Sequence, residues 1–105
     1  MLKTYNKLVR DLIPEIIEKG GNKCVISVLD DEKYFEMLNQ KLNEEVNEYQ
    51  ADKSVEELAD ILEVINAIAV AKGISFNDIE KVRLEKREKR GGFENKIFLH
   101  TVTEK

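Results

Sequence analysis

KLNEEVNEYQADKSVEELAD, residues Lys41 to Asp60, reads as the end of one helix, a short turn and the start of the next. Glu45 and Glu48 are three apart on the first helix, and Glu57 and Asp60 are three apart on the second, so each pair shares a helix face. The turn from Ala51 to Ser54 is short enough to force the second helix back antiparallel to the first. Four carboxylates then converge across one hairpin. Their mutual repulsion calls for a cation, and the usual occupant of an all-carboxylate pocket is Mg²⁺ or Mn²⁺.

Upstream, Asp30 or Asp31 is the expected N-cap of the first acidic helix, with further acidic residues in its first turn. Phe35, Leu38, Leu42, Glu45 and Tyr49 recur at the 3-4-3-4 spacing of a core-facing seam, which puts a carboxylate at a core position. An unpartnered buried carboxylate costs several kcal/mol, roughly, so Glu45 must neutralise, pair or bind a metal. Downstream, Ser54-Val55-Glu56-Glu57 has the form of a capping box, which gives Glu57 a structural role as an alternative to metal binding. Asp60 has no such alternative. It lies in a helix apolar on nearly every side as far as Ala71, with Glu63 and then Asn66 extending the polar line turn by turn.

The remaining segments frame this hairpin. YNKLVRDLIPEIIEKGG holds the one Pro and predicts a short helix over 14–18, ended by Gly20-Gly21. Lys7, Arg10 and Asp11 stand out there among apolar neighbours and read, by residue type alone, as a surface rim. Cys24 to Leu29 and Lys96 to Val102 are rich in β-formers, and the pair predicts a small two-stranded ribbon, 24–29 against 96–102, packed on helices. Gly73 is placed to end the second acidic helix, and Ser75 to Asp78 opens a further one through a second capping box. That last helix turns Phe76, Ile79, Val82 and Leu84 inward and then becomes KVRLEKREKR, six basic residues before Gly91-Gly92. Such a run is either a solvated face with i,i+4 pairs such as Lys81-Glu85 and Glu85-Lys89, or a basic patch whose glycines allow close approach to a phosphate.

With 105 residues, 42% hydrophobic and 36% charged, the composition suits one mainly helical domain spanning 1–105. The lone Cys24 forbids an internal disulfide, and with His100 as the one histidine no His or Cys zinc site can be assembled within the chain. Any metal must be held by oxygen. A net charge of −4 argues against a nucleic-acid polymer or an anionic membrane as partner, and the sequence has neither an apolar span nor a leader-like start, so a cytoplasmic location is expected. The breadth of the apolar surface on the Asp60 helix predicts a homo-oligomer.

Glu44-Glu45-Val46-Asn47-Glu48 followed by Glu57-Leu58-Ala59-Asp60 is an E-E-x-x-E then E-x-x-D pattern. It resembles the all-α nucleoside triphosphate pyrophosphohydrolase superfamily of MazG proteins, dimeric dUTPases and phosphoribosyl-ATP pyrophosphohydrolase. With YNKLVRDLIPEII and RLEKREKRGGF, nearly the whole chain looks like its small MazG-like members. The eight residues between Glu48 and Glu57 make a shorter link than is usual there.

The resemblance implies an antiparallel helical bundle in which Glu45, Glu48, Glu57 and Asp60 hold Mg²⁺, or Mn²⁺ in its place. Glu44 and Glu45 would serve the catalytic step, with Glu63 and Asn66 in outer contacts. It implies hydrolysis of a nucleoside triphosphate between the α and β phosphates, of the house-cleaning type, by a dimer or tetramer. By analogy Lys7, Arg10, Lys86, Arg87, Lys89 and Arg90 are the candidate phosphate contacts. Phosphoribosyl-ATP hydrolysis and a nucleotide-binding regulatory module without turnover are the alternative functions.

Overall fold

Three serine or aspartate side chains set where the long helices begin. In a computed structural model describing residues 1–105, Asp30 accepts a hydrogen bond from the Lys33 amide, Ser54 from the Glu57 amide and Ser75 from the Asp78 amide. Each satisfies an amide that the first turn of a helix leaves without a partner. The elements that follow are α1 (Ile13–Lys19), α2 (Asp31–Asp52), α3 (Val55–Ala71) and α4 (Phe76–Arg90).

The fold is all-helical. α2 and α3 form an antiparallel hairpin joined only by Lys53 and Ser54, and α4 returns against α3. Lys53 makes the reversal with a left-handed backbone (φ 58°), its amide bonded to the Tyr49 carbonyl and its ammonium to the Gln50 carbonyl. α1 starts with Pro at its N-terminal end and stops at Gly20, as its composition dictates. No helix is long and apolar enough to cross a membrane.

The core runs along the α2–α3 seam, where Leu38, Val64 and Ala69 are buried together with Glu45. It is thin. The chain extends over 64 × 31 × 24 Å with a radius of gyration of 18.7 Å, against about 13 Å for a compact domain of this length.

Two expectations fail outside the hairpin. Residues 24–29 and 96–102 form no strand, and Val25, Val28, Ile97 and Phe98 are exposed. β-forming side chains need a face to pack on, and residues 25–28 and 96–102 are exposed, so local propensity is left without the tertiary contact that realises it. Cys24 is half-buried and its thiol donates to the Pro14 carbonyl at 3.8 Å, which ties its segment back to α1.

In α4, Ile79 is half-buried while Val82 and Leu84 stay about half exposed, because the helix touches only α3 among the elements. Its ion pairs are Arg83 with Glu80 and Arg87 with Glu94, not the expected Lys81-Glu85 and Glu85-Lys89. Arginine closes a bidentate fork over one turn, which a lysine point charge does not reproduce.

Candidate metal centre

Helical spacing and the two-residue link bring the carboxylates into two overlapping groups of three. Glu45 from α2 and Glu57 and Asp60 from α3 offer oxygens within 4.8 Å of one another, and so do Glu44, Glu45 and Glu48 within α2. Glu45 belongs to both groups and joins them.

Its environment is anomalous. Glu45 is only 6% exposed, and its Oε2 has no hydrogen-bond partner; the buried Oε2 of Glu57 has none either. The Ser54 cap therefore uses the Glu57 amide at 3.4 Å, while the Glu57 carboxylate makes no reciprocal bond and is left facing its acidic neighbours. By contrast Ser75 and Asp78 complete both halves of a capping box at the start of α4. Two orphaned buried carboxylate oxygens, set among further carboxylates, could hold a hard divalent cation.

Burial pushes the Glu45 carboxyl above the usual carboxylate range, helped by Glu48 and opposed by Lys41. Glu57 is also raised, first by loss of solvent and then by the charges of Asp60, Glu45 and Asp52, with Glu48 acting the other way. Both shifts express the same physical problem, negative charge with too little to neutralise it.

Three cations partly answer it. Lys41, whose side chain is 15% exposed, holds Glu44 at 3.2 Å and Glu45 at 3.3 Å. Its ammonium is raised above the ordinary lysine value: burial works against the charge, and the bonds to Glu44 and Glu45 outweigh it. Lys7 lies 3.6 Å from Glu44, and Arg10 donates from Nη2 to Asp60 Oδ1 at 2.6 Å. The N-terminal segment is thus laid across the hairpin beside the carboxylates, and Lys7 and Arg10, half exposed as a surface rim would be, each reach one of them.

Two hollows flank this segment and share Leu8 and Lys41. One, about 280 Å³, is lined by Tyr5, Asn6, Lys7, Met37, Gln40 and Glu44 besides the shared pair. The other, about 230 Å³, contains Glu45, Asp60, Glu63 and Arg10 against an apolar wall that includes Leu38, Val64 and Ala67. Asn66 is half-buried and lines neither hollow.

The expected basic residues of α4 lie elsewhere. Lys86, Arg87, Lys89 and Arg90 are exposed, none lines either hollow, and Arg87 is engaged by Glu94. Lys41 is the cation that inspection of the sequence passed over. Three residues before Glu44 and four before Glu45, it looks like one more solvated helix pair, and only its burial distinguishes it.

A protein of Mycolicibacterium smegmatis described only as uncharacterized is 49% identical to this chain over 45 residues, 43% of this chain and 46% of that protein. The chain thus matches less than half the length of that relative. No protein-family profile matches the sequence, and no solved structure matches it.

Proposed function

We propose that this chain is a Mg²⁺-dependent nucleoside triphosphate pyrophosphohydrolase, cleaving between the α and β phosphates to release a nucleoside monophosphate and pyrophosphate. The observation that carries the reading is Glu45: buried on the helix seam, one oxygen unpartnered, and set among Glu48, Glu57 and Asp60. The E-E-x-x-E then E-x-x-D pattern supports it from the sequence side.

Glu45, Glu48, Glu57 and Asp60 would hold the ion. A bound Mg²⁺ neutralises polyphosphate charge and acidifies water. Glu44 is less buried than Glu45 and has an oxygen within 4.8 Å of those of Glu45 and Glu48, near enough to the ion site to take the proton of the attacking water. In the balanced reaction the water oxygen bonds to phosphorus as the bridging P–O bond breaks, and pyrophosphate leaves. Lys7 and Arg10, both already at the site, stabilise charge on the phosphates. Such an enzyme would work in the cytoplasm, where its substrates are.

The same proposal includes self-association. A compact 12.1 kDa monomer exposes roughly 6,000 Å², whereas this chain exposes 9727 Å². The excess is more than one chain contributes to an ordinary obligate interface, about 1,000–2,500 Å² per partner, so a second copy could cover a good part of it. Val55, Leu58 and Leu62 are exposed on one face of α3, away from the Glu57 and Asp60 face, and offer a second copy an apolar seam.

The test is pyrophosphate release with Mg²⁺ across canonical, deoxy, oxidised and phosphoribosyl nucleotides. Turnover of phosphoribosyl-ATP alone would assign the enzyme to histidine synthesis. Nucleotides that raise the melting temperature with no turnover on any substrate would identify a regulatory binding module instead.

A further inference from the structure

The two hollows beside the N-terminal segment differ in charge although they share a wall. The one containing Glu45, Asp60 and Glu63 is predominantly acidic, as a cation site requires. The other sets two ammonium groups, Lys7 and Lys41, against the single carboxylate of Glu44, with the Gln40 and Asn6 amides beside them. Lys41 is mostly withdrawn from solvent, which strengthens its field relative to a surface lysine. Lys7 also stands 5.7 Å from the Tyr5 ring centre, a contact that restrains it over the hollow.

We propose that this second hollow, built by Lys7, Gln40 and Lys41, is an anion subsite that takes the pyrophosphate end of the substrate while the neighbouring carboxylates take its metal. The proposal rests on the catalytic reading above and gives it a direction: the leaving group lies toward Lys7 and Gln40, and the nucleoside toward the wall of Leu38, Val64 and Ala67 in the acidic hollow. Lys41 is the hinge of the arrangement because it lines both spaces. Without ligand it neutralises Glu44 and Glu45. When a divalent cation occupies the carboxylates, Glu45 no longer needs Lys41, and the ammonium released from it becomes available to a phosphate oxygen. The exchange conserves charge pairing on both sides, so substrate and metal favour each other's binding.

The test uses the full chain with inorganic pyrophosphate and Mn²⁺ as probes. Pyrophosphate binding is followed calorimetrically with saturating Mg²⁺, and Mn²⁺ uptake is followed by its electron paramagnetic signal. Lys41→Met should weaken pyrophosphate by about tenfold or more, the loss of a charge-assisted hydrogen bond, while Mn²⁺ binding holds or tightens because a neighbouring positive charge is gone. Gln40→Glu, an exposed substitution that does not threaten folding, should weaken pyrophosphate in the same direction, while Mn²⁺ binding again holds or tightens. A purely structural Lys41 would lower both affinities together, and that parallel loss overturns the subsite. Pyrophosphate binding indifferent to both substitutions, with Mn²⁺ bound normally, also overturns it and leaves the catalytic reading standing. A wild-type chain that takes up no Mn²⁺ overturns both.

Discussion

Arg10 and Asp60 stand 2.6 Å apart, guanidinium nitrogen to carboxylate oxygen, across 50 positions of sequence. The bond ties a segment without regular structure to the second turn of α3, and it places a cation on one of the four carboxylates that the metal reading requires. Arg10→Gln should therefore tighten Mn²⁺ binding by about two- to fivefold, the range that releasing an exposed ion pair allows. The same substitution should make residues 1–12 cleave faster in limited proteolysis. Both partners are well exposed, so the melting temperature should move little. Weaker Mn²⁺ binding would show that Arg10 builds the site and does not compete for it.

Glu45→Gln and Asp60→Asn separate charge from shape. Each preserves volume, so each should fold. For Glu45→Gln the metal-free protein should change little in stability near neutral pH, because the loss of a raised carboxyl with one orphaned oxygen is offset by the loss of its ion pair to Lys41. Hydrolysis should fall on the order of a hundredfold or more in both. Wild-type melting temperature should rise in millimolar Mg²⁺, and that rise should disappear in the variants. Full Mg²⁺ response in Glu45→Gln would remove this residue from the ligand set.

The pH dependence of the metal-free chain follows from the raised carboxyls of Glu45 and Glu57. A carboxyl whose folded value exceeds its unfolded value binds its proton more tightly in the native state. Below the unfolded value near 4.5 both states are protonated and there is no penalty. As pH rises through the interval up to the raised values, the unfolded chain ionises first and stability falls. Asp78, Glu80 and Glu94 are held low by Ser75, Arg83 and Arg87, so they contribute the opposite slope, at lower pH. Thermal melts from pH 4.5 upward should therefore show declining stability without Mg²⁺, and saturating Mg²⁺ should abolish or reverse the decline.

Self-association is tested on α3. Leu58→Glu and Leu62→Glu introduce charge on the exposed apolar face without touching Glu57 or Asp60. Sedimentation equilibrium should show an oligomer for the wild type and a smaller species for the double variant, with a lower melting temperature. A wild-type monomer at high micromolar concentration would leave the excess surface without its proposed cover.

What was legible in the sequence was local. Asp30, Ser54 and Ser75 announce their helices because a cap is a bond between residues three apart. The carboxylate quartet was legible for a related reason, since spacing within a helix and a short turn determine which side chains meet. The ribbon was not, because strand formation in 24–29 and 96–102 depends on a partner surface far away in sequence. Arg10 could be singled out as a charge among apolar residues, but nothing near it in sequence names Asp60 as its partner. Lys41 escaped for the opposite reason: its neighbours Glu44 and Glu45 are so close in sequence that an ordinary helix pair accounts for them, and burial leaves no mark on the composition.

The Lys53-Ser54 turn carries a kinetic consequence. All four carboxylates lie between Glu45 and Asp60, so closing one short loop assembles them. Contacts of such low sequence separation are expected to form before the long-range pair of Arg10 with Asp60. The repulsion among them is then felt in the folding transition state. If the hairpin is the nucleus, adding Mg²⁺ will accelerate refolding more than it slows unfolding, a partition that stopped-flow chevrons with and without the ion measure directly.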